Sequence, residues 1–161
     1  MASTRRTFIK RSAATAAVVG SGAPFALAQA ETIRIGTIFD LSGPLAAAGS
    51  VASAIGTQIA IDLVNERGGV AGKYKVQPVN ADSQSKPDAA INEVERLINQ
   101  EKVEVVVGVY SSAHAVPLAA KMQEAKKILW ITTAVATSVV KDRNLTYTFR
   151  AQIHSDQYGD A

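Results

Sequence analysis

The sequence predicts an α/β fold in which a parallel sheet is flanked by helices, and three observations support this prediction. Segments with strand character alternate with segments of helical periodicity from Thr32 to Ala151, as in chains built from strand–helix–strand units. The run Val103–Val107 is almost continuously β-branched, which is typical of a strand buried on both faces. Loops rich in glycine or hydroxyl groups separate the segments, and no internal repeat or interdomain linker interrupts them.

The first predicted strand is Thr32–Phe39, and Asp40–Leu45 is a loop with a Gly-Pro turn signal. Small residues then lead into a helix that continues to about Asn65, where Gly68-Gly69 ends it. Four apolar residues spaced four apart form one stripe on this helix: Val51, Ile55, Ile59 and Leu63.

The second predicted strand is Tyr74–Val79, and the polar loop Asp82–Ser85 follows it. Ser85-Lys86-Pro87-Asp88 begins the next helix, with proline in the first turn and an early acidic residue. The apolar face of this helix is predicted to contain Ala90, Ile91, Val94, Leu97 and Ile98.

The central unit begins with the strand Val103–Val107, which Gly108 ends. Ser111 and Ser112 lie where a helix N-cap belongs, and the helix continues to about Lys127. A further strand, Ile128–Ile131, leads into a loop rich in hydroxyl groups. In parallel sheets, ligands bind beyond the carboxyl ends of the strands, where helix N-termini present free N–H groups. This arrangement predicts a small anionic or zwitterionic ligand.

The end of the sequence predicts another strand, Thr146–Ala151, and then the beginning of a helix with Ser155 and Asp156 as its N-cap. Because the chain stops in the first turn of that helix, we expect a fragment that is incomplete at its C-terminus.

Residues 1–30 are interpreted as an export signal that does not belong to the folded domain of residues 31–161. Arg5-Arg6 precedes a weakly apolar run, Ala13–Leu27, which glycine and proline interrupt. This segment resembles a bacterial twin-arginine signal, with cleavage after Ala28 or Ala30. An ordinary secretory signal is the alternative, and the apolar run is too short and broken for a membrane-spanning helix. The predicted location of the protein is the periplasm.

The net charge of the chain gives no support for nucleic-acid binding. The whole sequence has a net charge of +3, but residues 1–30 contain four basic residues, Arg5, Arg6, Lys10 and Arg11, and no acidic residue. Subtracting these four charges leaves the remainder at −1, so the basic character belongs to the signal segment.

Metal, disulfide and catalytic signatures are missing from the sequence. The chain has 0 cysteines, and His114 and His154 are isolated from other ligating residues in the sequence, so neither a disulfide nor a metal site is expected. No cofactor is predicted. The segment after Gly108 does not match a nucleophile elbow, and no dinucleotide or phosphate-binding glycine motif occurs. We therefore interpret the protein as a binding protein rather than an enzyme.

From Thr32 to the end, the chain resembles the leucine/isoleucine/valine-type periplasmic binding proteins of ABC transporters. The matching pieces are Ile35-Gly36, Leu41-Ser42-Gly43-Pro44, Asn65 to Gly72, Asp82 with Pro87, Gly108 with Ser111-Ser112, Ala136-Thr137 and Phe149-Arg150. The resemblance implies a type I periplasmic-binding fold, in which two α/β lobes close on a small solute. This chain would supply most of the first lobe, and the second lobe would be missing.

The resemblance also implies which residues contact the ligand. Ser112 matches the serine at the helix N-terminus that holds the ligand carboxylate, and Ala136 and Thr137 match the pair that meets the ligand ammonium or carboxylate. The second match requires a shift of one residue, so Thr133 and Ser138 are alternatives. Tyr110 and Ser111 are secondary candidates.

Each of these residues also has a structural interpretation. Ser112 is a plausible N-cap, Thr137 a plausible loop cap, and Tyr110 a plausible packing residue beside the strand end. Branched-chain amino acid binders of this type place an aromatic residue where this chain has Ala48. The ligand class therefore stays open to amides, urea-like compounds and aromatic acids.

The function implied by the resemblance is that of the periplasmic substrate-binding component of an ABC importer, which captures a small carboxylate-bearing solute such as a branched-chain amino acid. Its partners would be the solute and the inner-membrane permease complex, and it would act as a monomeric carrier. A ligand-sensing module of a receptor or regulator with the same fold is the alternative.

Overall fold

The computed structural model describes residues 31–158, which contain a single five-stranded parallel sheet with the strand order β2-β1-β3-β4-β5. The strands are β1 (Thr32–Phe39), β2 (Lys75–Asp82), β3 (Val105–Gly108), β4 (Ile128–Ile131) and β5 (Thr148–Arg150). The predicted parallel α/β fold is confirmed. The interpreted export signal, residues 1–30, lies outside the described residues.

Three helices connect consecutive strands of the sheet. They are α1 (Val51–Glu66), α2 (Pro87–Asn99) and α3 (Ser112–Ala125). A π-helical turn, Ala46–Ser50, leads directly into α1, and a 3₁₀ turn, Thr137–Val139, lies between β4 and β5. Pro87 occupies the first turn of α2, where its missing N–H leaves no helical bond unmade.

The end of the described chain differs from the sequence prediction. Ser155–Gln157 forms a 3₁₀ turn whose N-cap is His154, so the prediction of Ser155 or Asp156 as the N-cap was wrong. His154 and Gln157 form a reciprocal capping box, in which the His154 N–H donates to Gln157 Oε1 over 2.8 Å. The usual preference for serine or aspartate at an N-cap is overridden by this specific pair.

The core lies between one face of the sheet and helices α2 and α3. Buried residues from β1, β3 and β4 pack there against Val94, Leu97, Leu118 and Met122 of the two helices. Gly36 in β1 permits close packing, because a Cβ at this position would lie 2.8 Å from Leu97 Cδ1. The alternating burial along β3 and β4 follows from the two faces of a pleated strand.

The other face of the sheet is covered by α1 over β1 and β2. Asn65 anchors the end of this helix to β2, because its side chain accepts from the Val76 N–H over 2.7 Å and donates to the Val76 carbonyl over 2.8 Å. Ile61 is buried, whereas the predicted apolar stripe of α1 is exposed, with Ile55 at 56%. The stripe therefore does not face the core formed by residues 31–158.

Ala46–Glu66 is long and apolar enough to cross a membrane by length and composition alone, with 21 residues and a mean hydropathy of 1.4. In the structure, this segment packs on one face of the sheet. Ile61 is buried against it, Asn65 is bonded to β2, and the carboxylate of Asp62 accepts a hydrogen bond from Gln58 over 2.9 Å.

Candidate functional site

The candidate site lies at the edge of the sheet where all five strands end. Because the strands are parallel and aligned in register, the ends of β1, β3 and β4 meet at this edge. Helix α3 begins there with Ser112, immediately after the short loop that follows β3. Polar side chains from the loops that follow the strands lie at this edge, and their contacts determine which atoms are available to a ligand.

Asp82, at the end of β2, fastens the loop that follows β1. Its carboxylate accepts hydrogen bonds from the N–H groups of Leu41 and Ser42 over 2.9 and 3.2 Å, and from the Ser42 hydroxyl over 2.6 Å. Burial acts to raise the pKa of Asp82, but the Ser42 hydroxyl and the backbone N–H groups of Gln84, Leu41 and Ser42 outweigh burial and hold that pKa below its ordinary value. The Ser42-Gly43-Pro44 turn is therefore held by an ionised carboxylate.

The loop after β3 bends sharply at two residues with positive φ. Gly108 has φ 132°, and a Cβ there would lie 2.2 Å from the Ile38 carbonyl oxygen, so glycine is required. Val109 has φ 67° although it is β-branched, and its N–H donates to Ile38 O over 2.9 Å. Backbone strain of this kind costs about 1–3 kcal/mol and persists only where the surrounding structure enforces it.

The bend directs Tyr110 towards the π-helical turn before α1. The Tyr110 hydroxyl donates to the Ala48 carbonyl, and its ring lies against Gly49, where a Cβ would be 3.2 Å from Tyr110 Cε2. The Tyr110 side chain is half-buried. The structure therefore supports the packing role of Tyr110 and also places an aromatic ring beside Ala48.

The Ser112 side chain connects α3 to the loop after β4. Ser111, not Ser112, is the N-cap residue, and its side chain makes no capping hydrogen bond. The Ser112 hydroxyl oxygen accepts from the Ala136 N–H over 3.0 Å. A hydroxyl that accepts in this way keeps its own proton for donation. The interpretation of Ser112 as a simple N-cap is wrong, and the structure brings Ser112 together with Ala136.

Thr137 lies on the far side of the same loop. Its N–H donates to Ser155 Oγ over 3.3 Å, and its hydroxyl lies 3.0 Å from the same oxygen. Thr133 and Ser138 are the alternatives to Thr137 as ligand contacts. The Thr133 hydroxyl lies 3.5 Å from Ser53 Oγ, and Ser138 is exposed. The structure therefore joins Thr137 to Ser155, and no direct contact between Thr137 and Ser112 is observed among residues 31–158.

Arg150, at the end of β5, forms hydrogen bonds with the backbone of the loop that contains Ala136. Its Nη1 donates to the carbonyl of Ala136 over 2.9 Å and to that of Ala134 over 3.4 Å, and its Nη2 is bonded to His154 Nδ1. Sequence reasoning missed this residue as part of the site. The available signals were its position in a predicted strand and the Phe149-Arg150 match to the family.

His114 is also less isolated than the sequence suggested. Its Nδ1 lies 3.3 Å from Asp40 Oδ1, and both side chains are buried beneath the site. His114 is isolated in the sequence, but the fold places Asp40 beside it, because residues distant in sequence are adjacent in the structure. Within residues 31–158, no group of three potential metal ligands occurs.

Comparisons with known proteins identify the family of the chain. A family model described as periplasmic binding protein matches residues 32–161. Leu/Ile/Val-binding protein homolog 7 of Brucella suis biovar 1 (strain 1330) is 32% identical over 126 residues, which are 78% of this chain and 31% of that protein. Leu/Ile/Val-binding protein BraC3 of Rhizobium johnstonii is 33% identical over 146 residues, which are 91% of this chain and 38% of that protein. The chain thus spans about a third of the length of these relatives.

Solved structures share the fold of the described residues. The branched-chain amino acid transporter substrate-binding protein LivJ from Streptococcus pneumoniae, in complex with isoleucine, has a TM-score of 0.71 and 31% identity, and the match covers 77% of this chain and 34% of that one. A solute-binding protein of an ABC transporter from R. palustris, in complex with 4-hydroxybenzoate, has a TM-score of 0.64 and 28% identity, and the match covers 77% of this chain and 32% of that one. With the family model matching all but the first of the described residues, the chain belongs to the periplasmic binding protein family, among its Leu/Ile/Val-binding-like members.

Proposed function

We propose that this chain is part of the substrate-binding component of an ABC importer and contributes one wall of a site for a small carboxylate-bearing solute. The observation that carries the proposal is the Ser112 hydroxyl, which is held at the N-terminus of α3 by the Ala136 N–H over 3.0 Å. A hydroxyl fixed at this position has a proton to donate and lies beside the positive end of a helix dipole.

The anion preference of this position follows from the helix itself. The N–H groups of Ser112 and Ala113 precede the regular helical hydrogen bonds, so they are not paired within α3. Together with the Ser112 hydroxyl they form a set of donors directed away from the helix end. Charge-assisted hydrogen bonds from such donors to a carboxylate are roughly twice as strong as neutral ones.

The ligands of two structural neighbours point to the same chemical group. The LivJ structure contains isoleucine and the R. palustris structure contains 4-hydroxybenzoate. These molecules differ in size, shape and charge, and the group they share is a carboxylate. We infer that the α3 N-terminus recognises this carboxylate, while other residues select the remainder of the ligand.

The loop after β4 would support this recognition indirectly. Arg150 donates to the Ala136 carbonyl over 2.9 Å, so a cationic side chain already occupies that carbonyl. A ligand ammonium would be repelled there, and we propose that Ala136 acts through its N–H by fixing Ser112. Thr137, bonded to Ser155, is proposed to line the rim of the site.

The test uses the full-length mature protein and calorimetry with isoleucine and 4-hydroxybenzoate, each compared with its carboxamide. We expect at least one carboxylate to bind and its amide to bind much more weakly. Ser112→Ala should lose roughly 1.5–3 kcal/mol of binding free energy, or about one to two decades in Kd, because a hydrogen bond to a charged group is removed.

Thr146→Ala is the matched control, because it removes an exposed hydroxyl that contacts Gln123 near the opposite end of α3. Its Kd should equal that of the wild type. A Ser112→Ala variant with unchanged Kd and a lowered melting temperature would contradict the proposal and limit Ser112 to a structural role.

A further inference from the structure

A cluster of buried polar residues lies next to the first turn of α3, and none of its residues is among the proposed ligand contacts. It consists of Asp40, Ser50, Ser83 and His114, which are all at most 3% exposed. Buried polar groups cost free energy unless they are hydrogen-bonded, so a cluster of four in one place needs a physical explanation.

Asp40 is the centre of this cluster. Its N–H donates to Ser50 Oγ over 2.8 Å, and its Oδ1 accepts from the Ser83 hydroxyl over 2.7 Å. His114 Nδ1 lies 3.3 Å from the same Oδ1. The second oxygen, Oδ2, is buried and has no hydrogen-bond partner within residues 31–158.

The four residues come from four segments that surround the site. Asp40 follows β1, Ser83 follows β2, Ser50 ends the π-helical turn before α1, and His114 lies in the first turn of α3. His114 is two residues after Ser112, and its backbone N–H donates to the Ser111 carbonyl over 3.1 Å. The cluster therefore connects the first turn of α3 to the loops on its other side.

A gain in folding stability does not explain why Asp40 and His114 are buried together. Replacing a buried charged or polar pair with well-packed apolar residues is often neutral or stabilising, because both groups must be desolvated. In some proteins a buried polar group instead specifies one arrangement of neighbouring elements.

We propose that Asp40 and His114 are positioning residues that fix the first turn of α3, and with it the Ser112 hydroxyl, relative to the loop after β1. The positioning follows from the contacts within the fold, whereas its consequence for ligand affinity rests on the proposed function. The two parts can therefore be tested separately.

The positioning is tested by amide hydrogen exchange in the full-length mature protein. The His114 and Ala115 N–H groups, which donate to Ser111 O over 3.1 and 3.0 Å, report on the first turn of α3. The Leu129 N–H, which donates to Tyr147 O over 2.8 Å in the core, reports on global stability. In His114→Phe we expect first-turn exchange to accelerate about tenfold or more relative to Leu129.

Two further variants keep the test decisive. His114→Asn keeps a polar group near the position of Nδ1 and should retain most of the protection of the first turn. Asp40→Asn retains the shape of the side chain, so it replaces His114→Phe if that variant does not fold, and it should loosen the same amides.

Lys121→Ala is the control elsewhere on α3. Lys121 Nζ lies 2.8 Å from Glu95 Oε1, so this variant loses an ion pair of α3 that involves neither the first turn nor Tyr147, the partner of the Leu129 N–H. Exchange in the first turn relative to Leu129 should match that of the wild type. Equal acceleration of first-turn and core amides in the Asp40 and His114 variants would overturn the positioning role.

Affinity is then measured with isoleucine and 4-hydroxybenzoate. Weaker binding in His114→Phe and recovery in His114→Asn would support the link to the ligand. Faster first-turn exchange with unchanged Kd would overturn that link while leaving the positioning intact. Wild-type protein that binds neither probe counts against the proposed function alone, because the exchange experiment still decides the positioning.

Discussion

Asp82 illustrates how one carboxylate can organise two loops at the edge of the sheet. It accepts three hydrogen bonds from Leu41 and Ser42 and a fourth from the Gln84 N–H, over 2.8 Å. Because all four hydrogen bonds are to one side chain, Asp82 connects the loop after β1 to the loop after β2. The ionised form is required, because a protonated carboxyl would lose acceptor capacity.

The lowered pKa of Asp82 gives a prediction about pH. The folded-state pKa lies below the ordinary value of 3.8, so folding favours the ionised form. The corresponding stability is fully present above pH 3.8 and is lost as the pH falls through the lowered folded-state pKa. Asp82→Asn should therefore unfold at lower urea concentration than wild type at neutral pH, and the difference should shrink in acid.

Asp142→Asn provides the comparison, since it removes a carboxylate from an exposed loop. Its urea midpoint should follow that of the wild type at both pH values. A difference between Asp82→Asn and wild type that stays constant into acid would show that ionisation of Asp82 does not stabilise the fold.

At this scale, the sequence located the edge of the sheet but not the partners of each side chain. Ser112 and Thr137 were predicted at the same edge because both follow parallel strands. The structure joins Ser112 to Ala136, the residue before Thr137, and joins Thr137 to Ser155. The pairing of Asp40 with His114 could not be predicted, because it depends on the packing of α3 beside β1. Arg150 was likewise recognised only as part of a motif, since its carbonyl partners belong to another loop.

At the scale of elements, hydrophobic periodicity predicted every strand and every long helix of residues 31–158. The boundaries differ by a few residues, as for β2, which continues to Asp82 rather than Val79. Periodicity identified the apolar stripe of α1 but could not specify what covers it. Pattern alone reports which residues share a face, whereas the neighbouring element is decided by tertiary packing.

The interpreted export signal is an element that can be tested independently of the fold. Arg5-Arg6 precedes a weakly apolar run, which is the anatomy of a twin-arginine signal. We predict that changing both residues to lysine leaves the uncleaved precursor in the cytoplasm, although the charge is retained. Cell fractionation and immunoblotting measure this, with Lys10→Arg as a control that keeps the pair. Normal export of the double variant would exclude the twin-arginine route.

At the scale of the whole molecule, the sheet has one covered face and one partly open face. Trp130 and Phe149 stack with ring centroids 6.1 Å apart and are 44% and 46% exposed. By strand register they lie on the same face as Thr37 and Val107, beside α1. A parallel sheet is normally buried on both faces, and this chain spans about a third of the length of its relatives. We infer that the remaining surface is shielded in a longer protein.

The same reasoning leads to a prediction for residues 31–161 produced alone. Ligand sites bury about 70–90% of a small molecule, whereas the site described here has a single wall formed by α3 and its neighbouring loops. The isolated segment should therefore bind isoleucine and 4-hydroxybenzoate weakly or not at all, while the full-length protein binds at least one of them.

Trp130 is the only tryptophan in residues 31–161, so its quenching by acrylamide gives a check on the same sample. Strong quenching that decreases in the full-length protein would show that the open face becomes covered, provided that any other tryptophans are first replaced by phenylalanine. Tight stoichiometric binding to the isolated segment in calorimetry would contradict the requirement for a second wall.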